Sequence, residues 1–225
     1  IGHTRLLDEL TKLVKRSPAD ATSVCAEAQT CRVSRFAYET IHQDIAQENL
    51  TVYVKVVIGQ RVGLALTDTL ERASLQRSLR AAMEIARHAP PVKPLPPLPR
   101  QHELITTKEH EPRTATAPAA WTITQLKHLF RLCKGIGVQL AGSCAISEDE
   151  LAVVNSSNVR CYSASTLAGV KLVTMYRRLS GYASAVHRRI DQLDLEELLE
   201  RAVKQCLHRR DPIALPVGTY EVILE

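Results

Sequence analysis

Six of the eleven prolines in this chain fall between positions 89 and 99, and that segment limits what the rest can fold into. Backbone with so many prolines has fixed φ and few N–H donors, so it enters neither a helix interior nor a central strand. It reads as a cross-over strap or linker, because most such stretches are spacers. A ligand for a proline-recognising module is the other use of this chemistry. Either way the chain is divided into two stretches.

The first stretch opens with a helix. Leu6, Leu7, Leu10, Leu13 and Val14 recur at helical spacing over 4–16, and Ser17-Pro18 stops the run. Strand-like segments follow at 24–29 and 31–38. Residues 50–58 alternate well, with Leu50, Val52, Val54 and Val56 on one side. Gly59-Gln60 turns this segment into 61–67, which predicts a β-hairpin. A second helix carries Leu75, Leu79, Ala82, Met83 and Ala86. Asp68 with Glu71 suggests its N-terminal capping pair, and Pro90-Pro91 ends it.

Beyond the prolines the order starts again. Residues 100–120 are polar and aperiodic and read as loop. Ile123, Leu126, Leu129, Phe130 and Cys133 mark a helix ended by Gly135 and Gly137. Strand-like segments lie at 138–146, 151–155, 159–163, 168–176 and 181–188, with 155–158 as a turn. A last helix carries Leu195, Leu198, Leu199, Ala202, Val203 and Cys206. Asp194 and Glu197 repeat the capping arrangement, and 220–224 is a final strand. Strands grouped between helices predict an α+β fold with a mainly antiparallel sheet and flanking helices. The repeated order suggests two similar α-β-α halves, without residue identity to prove a duplication. The divisions are 1–88, the strap and loop at 89–121, the second half at 122–216, and 217–225 as the opening strand of a further domain.

Composition narrows the class of function. No run of about 18 apolar residues exists, which argues against a membrane-spanning helix. The formal charge of +5 invites a nucleic-acid reading. The doublets Arg177-Arg178, Arg188-Arg189 and Arg209-Arg210 are separated by acids, however, so scattered surface charge is favoured. Six cysteines, at 25, 31, 133, 144, 161 and 206, form no C-x-x-C pair and suit free thiols in a reducing cytoplasm.

The search for an active site yields no catalytic, metal-ligating or cofactor-binding residue. His102-Glu103 and His110-Glu111 lack the second histidine that gripping zinc from one helix face requires. Ser180-Gly181 and Gly142-Ser143 do not make a nucleophile elbow. Lys134-Gly135-Ile136-Gly137 and the Gly59 to Gly63 stretch do not make a phosphate loop. Glu148, Asp149 and Glu150 read as a solvated turn between strands. A Cys–His pair meeting only in space is left to the structure.

Several short stretches, in order, resemble the N-terminal half of the TldD/PmbA family, also called modulator of DNA gyrase. They are Leu6 to Ser17 with Ala19-Asp20; the hairpin Val54-Lys55-Val56-Val57-Ile58-Gly59-Gln60-Arg61-Val62-Gly63-Leu64-Ala65; and Ala86-Arg87-His88-Ala89-Pro90-Pro91. Asn155-Ser156 to Ser165-Thr166, Ser180-Gly181-Tyr182-Ala183-Ser184-Ala185, and Pro216 to Leu224 complete the series. Departures are Asn158 where the family often has glycine, the loop 101–121, and Asn49 near a missing glycine.

The resemblance implies a non-catalytic N-terminal region that helps to form a peptide cleft and a dimer contact. Zinc-dependent proteolysis would then reside in a C-terminal half, in the TldD-like branch only, and this chain alone would be inactive. Its implied partners are its own C-terminal domain, a homo- or heterodimer mate and a peptide, in the cytoplasm. Two rivals are a non-enzymatic module binding nucleic acid or protein, and a small Cys–His hydrolase.

Overall fold

The computed structural model describes residues 1–101, 109–207 and 214–223. Helix α1 (His3–Lys15) buries Leu6, Leu7, Leu10, Leu13 and Val14. It ends where the Arg16 and Ser17 amides close on the Leu13 and Val14 carbonyls. Three antiparallel strands follow: β1 (Ala21–Ala37), β2 (Thr40–Ile58) and β3 (Arg61–Thr67). Helix α2 (Arg72–His88) closes the first half. A short α3 (Pro112–Ala115) leads into α4 (Ala119–Ile136), then β4 (Gln139–Asn155), β5 (Arg160–Tyr176), β6 (Leu179–His187) and α5 (Leu195–Leu207).

The six strands form one antiparallel sheet in the order β3-β2-β1-β4-β5-β6. The class is therefore α+β with flanking helices, as the grouping of strands and helices predicts. The long central strands β1 and β4 pair with each other, so each half contributes three neighbouring strands to a shared sheet.

Except at the register shift between Arg35 and Phe36, the registers of the two halves coincide at a constant offset. Ala21 pairs with Val57 and Gln139 with Met175, each partner 118 positions from its counterpart. Val54 pairs with Ala65 and Leu172 with Ala183, again 118 apart. Thr30 pairs with Glu148, also 118 apart, so an internal two-fold axis passes through the middle of the β1–β4 ladder. This is the geometry of a duplicated unit.

All four long helices lie over one face, in two layers at opposite ends of the long strands. At one end α1 and α2 pack on Val24, Ala26, Val52, Val54, Val56, Ala152 and Val154. At the other, α4 and α5 pack on Phe36, Leu140, Cys144, Val170, Leu172 and Ala183. Glycine lets the outer helices approach the edge strands. A Cβ at Gly63 would meet the Ala82 carbonyl at 1.9 Å, and one at Gly181 the Ala202 carbonyl at 1.9 Å. The strap follows the ends of the strands: the Val92 amide donates to the Gln60 carbonyl, and Asn155 Nδ2 donates to the Pro99 carbonyl.

Several sequence expectations are corrected. The segments 24–29 and 31–38 are one strand, as are 138–146 with 151–155 and 159–163 with 168–176; β2 begins ten residues earlier than 50, at Thr40. The interruptions fall near the internal axis, between the two helix layers, where apolar alternation lapses but strand pairing continues. Glu148, Asp149 and Glu150 are thus mid-strand, not a turn. No side chain caps α2, which starts after Glu71, whereas the Glu197 amide does donate to Asp194 Oδ1 at 2.9 Å. Ile123 is exposed and Thr122 is buried in its stead. Part of the loop 100–120 is helical, as α3 and the start of α4. Tyr220 to Ile223 form no strand, having no paired neighbour among the described residues, and Leu224 lies outside them.

Candidate functional site

Alternation puts one set of side chains under the helices and the other on a face that no described helix covers. On that open face two hollows join. One, of about 470 Å³, is lined by Glu27, Gln29, Asn49, Thr51, Asp149, Leu151, Ser163 and Ser165. The other, of about 480 Å³, shares Asp149 and Ser165 with it and continues past Leu167 and Val186 to His187 and Arg188. Together they make a trough across β2, β1, β4, β5 and β6.

The floor of the trough is polar and partly organised. Gln29 Nε2 donates to Asp149 Oδ1 at 2.6 Å, and Ser147 Oγ donates to Asp149 Oδ2 at 3.2 Å. Tyr53 OH donates to Glu27 Oε2 at 3.4 Å. Exposed Leu151, Leu167 and Val186 stand beside these groups, with Leu64 and Leu66 further out on β3. Carboxylate, amide and hydroxyl groups next to open apolar patches suit an extended polyamide, whose backbone needs polar partners and whose side chains need apolar ones.

The edge strands offer less. Ser78 Oγ donates to the Leu66 carbonyl on β3, the Tyr182 amide on β6 donates to Gln205 Oε1, and Cys206 Sγ reaches the Leu179 carbonyl. The covering helices therefore already satisfy part of each edge, the feature that limits strand addition.

On the helix side, the acidic run has a different role. Glu150 is buried and accepts from Tyr162 OH at 2.7 Å, the Gly2 amide at 2.8 Å and the Ile1 amine at 2.7 Å. Burial opposes its charge, but these donors outweigh burial and hold the carboxyl below its ordinary range. Burial first, then the Glu150 carboxylate, raises the Tyr162 phenol. Glu148 bonds His110 Nε2 at 2.7 Å. Sequence reasoning missed this arrangement, because the partners of Glu150 lie 12 and 148 positions away.

The remaining candidates do not converge. His102-Glu103 and Arg209-Arg210 lie outside the described residues. Among the described residues no three His, Cys, Asp or Glu side chains come together, so none offers zinc a ligand set. All six cysteines are free; Cys133, Cys144 and Cys206 are buried. Burial pushes the Cys133 and Cys144 thiols up to about 11, opposite to an activated nucleophile. Gly142 sits inside β4 and Ser180-Gly181 inside β6, on regular strands. Arg177-Arg178 and Arg188-Arg189 flank opposite ends of β6 and form no shared stripe. Among the described residues no helix is long and apolar enough to cross a membrane.

No family model and no curated protein matches the sequence. Solved structures do. TldE from Thermococcus kodakarensis has a TM-score of 0.80 at 17% identity, over 87% of this chain and 46% of its own. A protein from Thermotoga maritima MSB8, named as a proposed modulator of a DNA gyrase, has 0.80 at 16%, over 94% and 49%. A protein of the same designation from Bacteroides thetaiotaomicron VPI-5482 has 0.62 at 14%, over 90% and 49%. The chain spans about half the length of each. The resemblance read from its residues is thus matched by a shared fold with TldE and with proteins named as gyrase modulators.

Proposed function

We propose that this chain is the non-catalytic N-terminal region of a TldD/PmbA-like metallopeptidase-family protein, working in the cytoplasm. Its part is to wall the peptide cleft and to support dimer assembly, while zinc-dependent proteolysis belongs to a C-terminal half. The observation that carries this reading is the open, polar-floored trough on a sheet whose fold recurs in about half of TldE. Within the trough, Asp149 and Glu27 accept from peptide amides or a basic side chain, and Ser163 and Ser165 donate to peptide carbonyls.

The test compares zinc content and peptide cleavage of this chain with those of a full-length protein carrying it. Zinc and cleavage confined to the longer protein, and lowered there by Asp149→Ala, support the reading. Stoichiometric zinc or turnover in this chain alone overturns it.

A further inference from the structure

The internal axis relates positions 118 apart, so each row of side chains across the open face has a counterpart row in the other half. One such pair of rows differs in chemistry. Across β3, β2, β1, β4 and β5 the row reads Leu66, Tyr53, Cys25, Val153 and Cys161. Its counterpart across β6, β5, β4, β1 and β2 reads Ser184, Lys171, Ser143, Arg35 and Gln43. Lys171 thus stands where the first row has Tyr53, and Arg35 where it has Val153. The fold accepts an apolar row at this place, so packing does not call for the charges.

The charged row adjoins the trough. Ser184 lies two positions from Val186 and Lys171 four from Leu167, and both of those apolar residues line the second hollow. Arg35 and Lys171 flank Ser143 on its two sides. They are two strand spacings apart, about 10 Å, which their long side chains bridge. Both are exposed. Arg35 Nη1 donates to Gln43 Oε1 at 3.2 Å, which leaves the rest of its five N–H groups for another acceptor. Among the described residues no carboxylate pairs with either cation. Two cations with a hydroxyl between them suit one anionic group, which a guanidinium takes by two parallel hydrogen bonds.

The same face limits what can carry that anion. Its carboxylates, Glu27 and Asp149, lie eight positions from Arg35 on β1 and six from Ser143 on β4. Among the described residues no cation neutralises them. A polyanion such as a nucleic acid, laid along the trough, would meet both and be repelled. A chain with one anionic group, and with amide N–H or cationic groups about 20 Å away, matches both places. About six residues of extended peptide span that distance. We infer that Arg35 and Lys171, with Ser143 between them, hold a single carboxylate of an extended peptide whose N–H or cationic groups reach Asp149 and Glu27. The peptide then lies in one direction, its carboxylate toward the end of the sheet that α4 and α5 cover. That carboxylate is the peptide's C-terminus or an acidic side chain. The inference rests on the peptide-cleft reading above and adds its polarity.

Fluorescence anisotropy of the 225-residue chain with labelled peptides at low salt is the experiment. Every peptide has an alanine and valine background with a lysine six positions before its last residue. One ends in a free carboxylate, one in an amide, and one in an aspartate whose terminus is an amide. The free acid is expected to bind about tenfold or more tighter than the plain amide. Recovery of that affinity by the aspartate amide assigns an acidic side chain, and no recovery assigns the C-terminus; both support the inference. Arg35→Gln with Lys171→Gln removes the difference between acid and amide and leaves circular dichroism unchanged, since both side chains are exposed. Should that variant misfold, the comparison of peptides on the wild type still decides. Equal affinity for all three peptides, a preference that survives in the folded double variant, or no peptide binding up to about 1 mM overturns the inference. So does an oligothymidylate that binds tighter than every peptide and is lost in the double variant. Equal affinities that Asp149→Ala lowers strike the carboxylate site and leave the trough reading standing, which the zinc and cleavage comparison tests separately.

Discussion

Alanine at Gly63 tests how α2 is seated on the sheet. A Cβ there would lie 1.9 Å from the Ala82 carbonyl oxygen and 2.6 Å from the Ala86 nitrogen. Both atoms are helix backbone, so neither turns away as a flexible side chain would. Real Cβ atoms stay beyond about 3.0 Å, so helix and strand must separate locally by about 1.1 Å, the difference between 3.0 and 1.9. A gap of about 0.5–1 Å forfeits a quarter to a half of the dispersion attraction across a contact. Leu75, Leu79, Ala82 and Ala86 all lose part of theirs. Overpacking costs about 1–3 kcal/mol, and backbone on both sides puts this case near the upper limit, about 3 kcal/mol. For a chain of this size that lowers Tm by about 6–12 °C. Gly181→Ala should lose as much, since its Cβ meets Ala202 O at 1.9 Å and Cys206 N at 2.7 Å. Gly135→Ala in α4 has open space and is the control, expected to gain up to about 1 kcal/mol. Urea unfolding followed by circular dichroism reads all three. A loss below about 1 kcal/mol at 63, or a large loss at 63 with none at 181, refutes the reasoning.

Glu150→Gln should cost about 1.5–3 kcal/mol at neutral pH, the range for a hydrogen bond to a charged group. The carboxyl is held below its ordinary 4.5 in the fold, so its stabilisation is complete above 4.5 and is lost as pH falls through the depressed folded value. The variant should therefore lack part of the wild-type decline below 4.5; parallel stability–pH profiles there would count against it. Iodoacetamide at mildly alkaline pH should label half-buried Cys31 and Cys161 in the native protein and reach Cys133 and Cys144 only after denaturation. Equal labelling of all four, read by mass spectrometry of peptides, would contradict their burial.

The helices were legible because each carries its own signal. The Leu6 to Val14 stripe and the Leu195 to Cys206 stripe are apolar faces at helical period, and both are buried, with Val203 only half-buried. The hairpin at Gly59-Gln60 was legible for a similar reason, a short turn between two alternating runs. The mid-strand segments were not. Residues 147–150 and 163–165 lie between the two helix layers, where no continuous apolar core imposes alternation, so local sequence reads as turn or loop. The trough could not be read either, since it joins Glu27, Asp149 and Ser165 from three strands. The Glu150 arrangement likewise depends on partners distant in the chain.

The residues alone determined an α+β chain with a repeated order of elements and a proline-rich strap or linker between them, because periodicity and turn chemistry are properties of a few neighbouring positions. Only the tertiary structure decided that β1 and β4 join those halves into one sheet about an internal axis, with all long helices on one face. Strand pairing is chosen between segments far apart in sequence, by backbone hydrogen bonds that carry no residue signature.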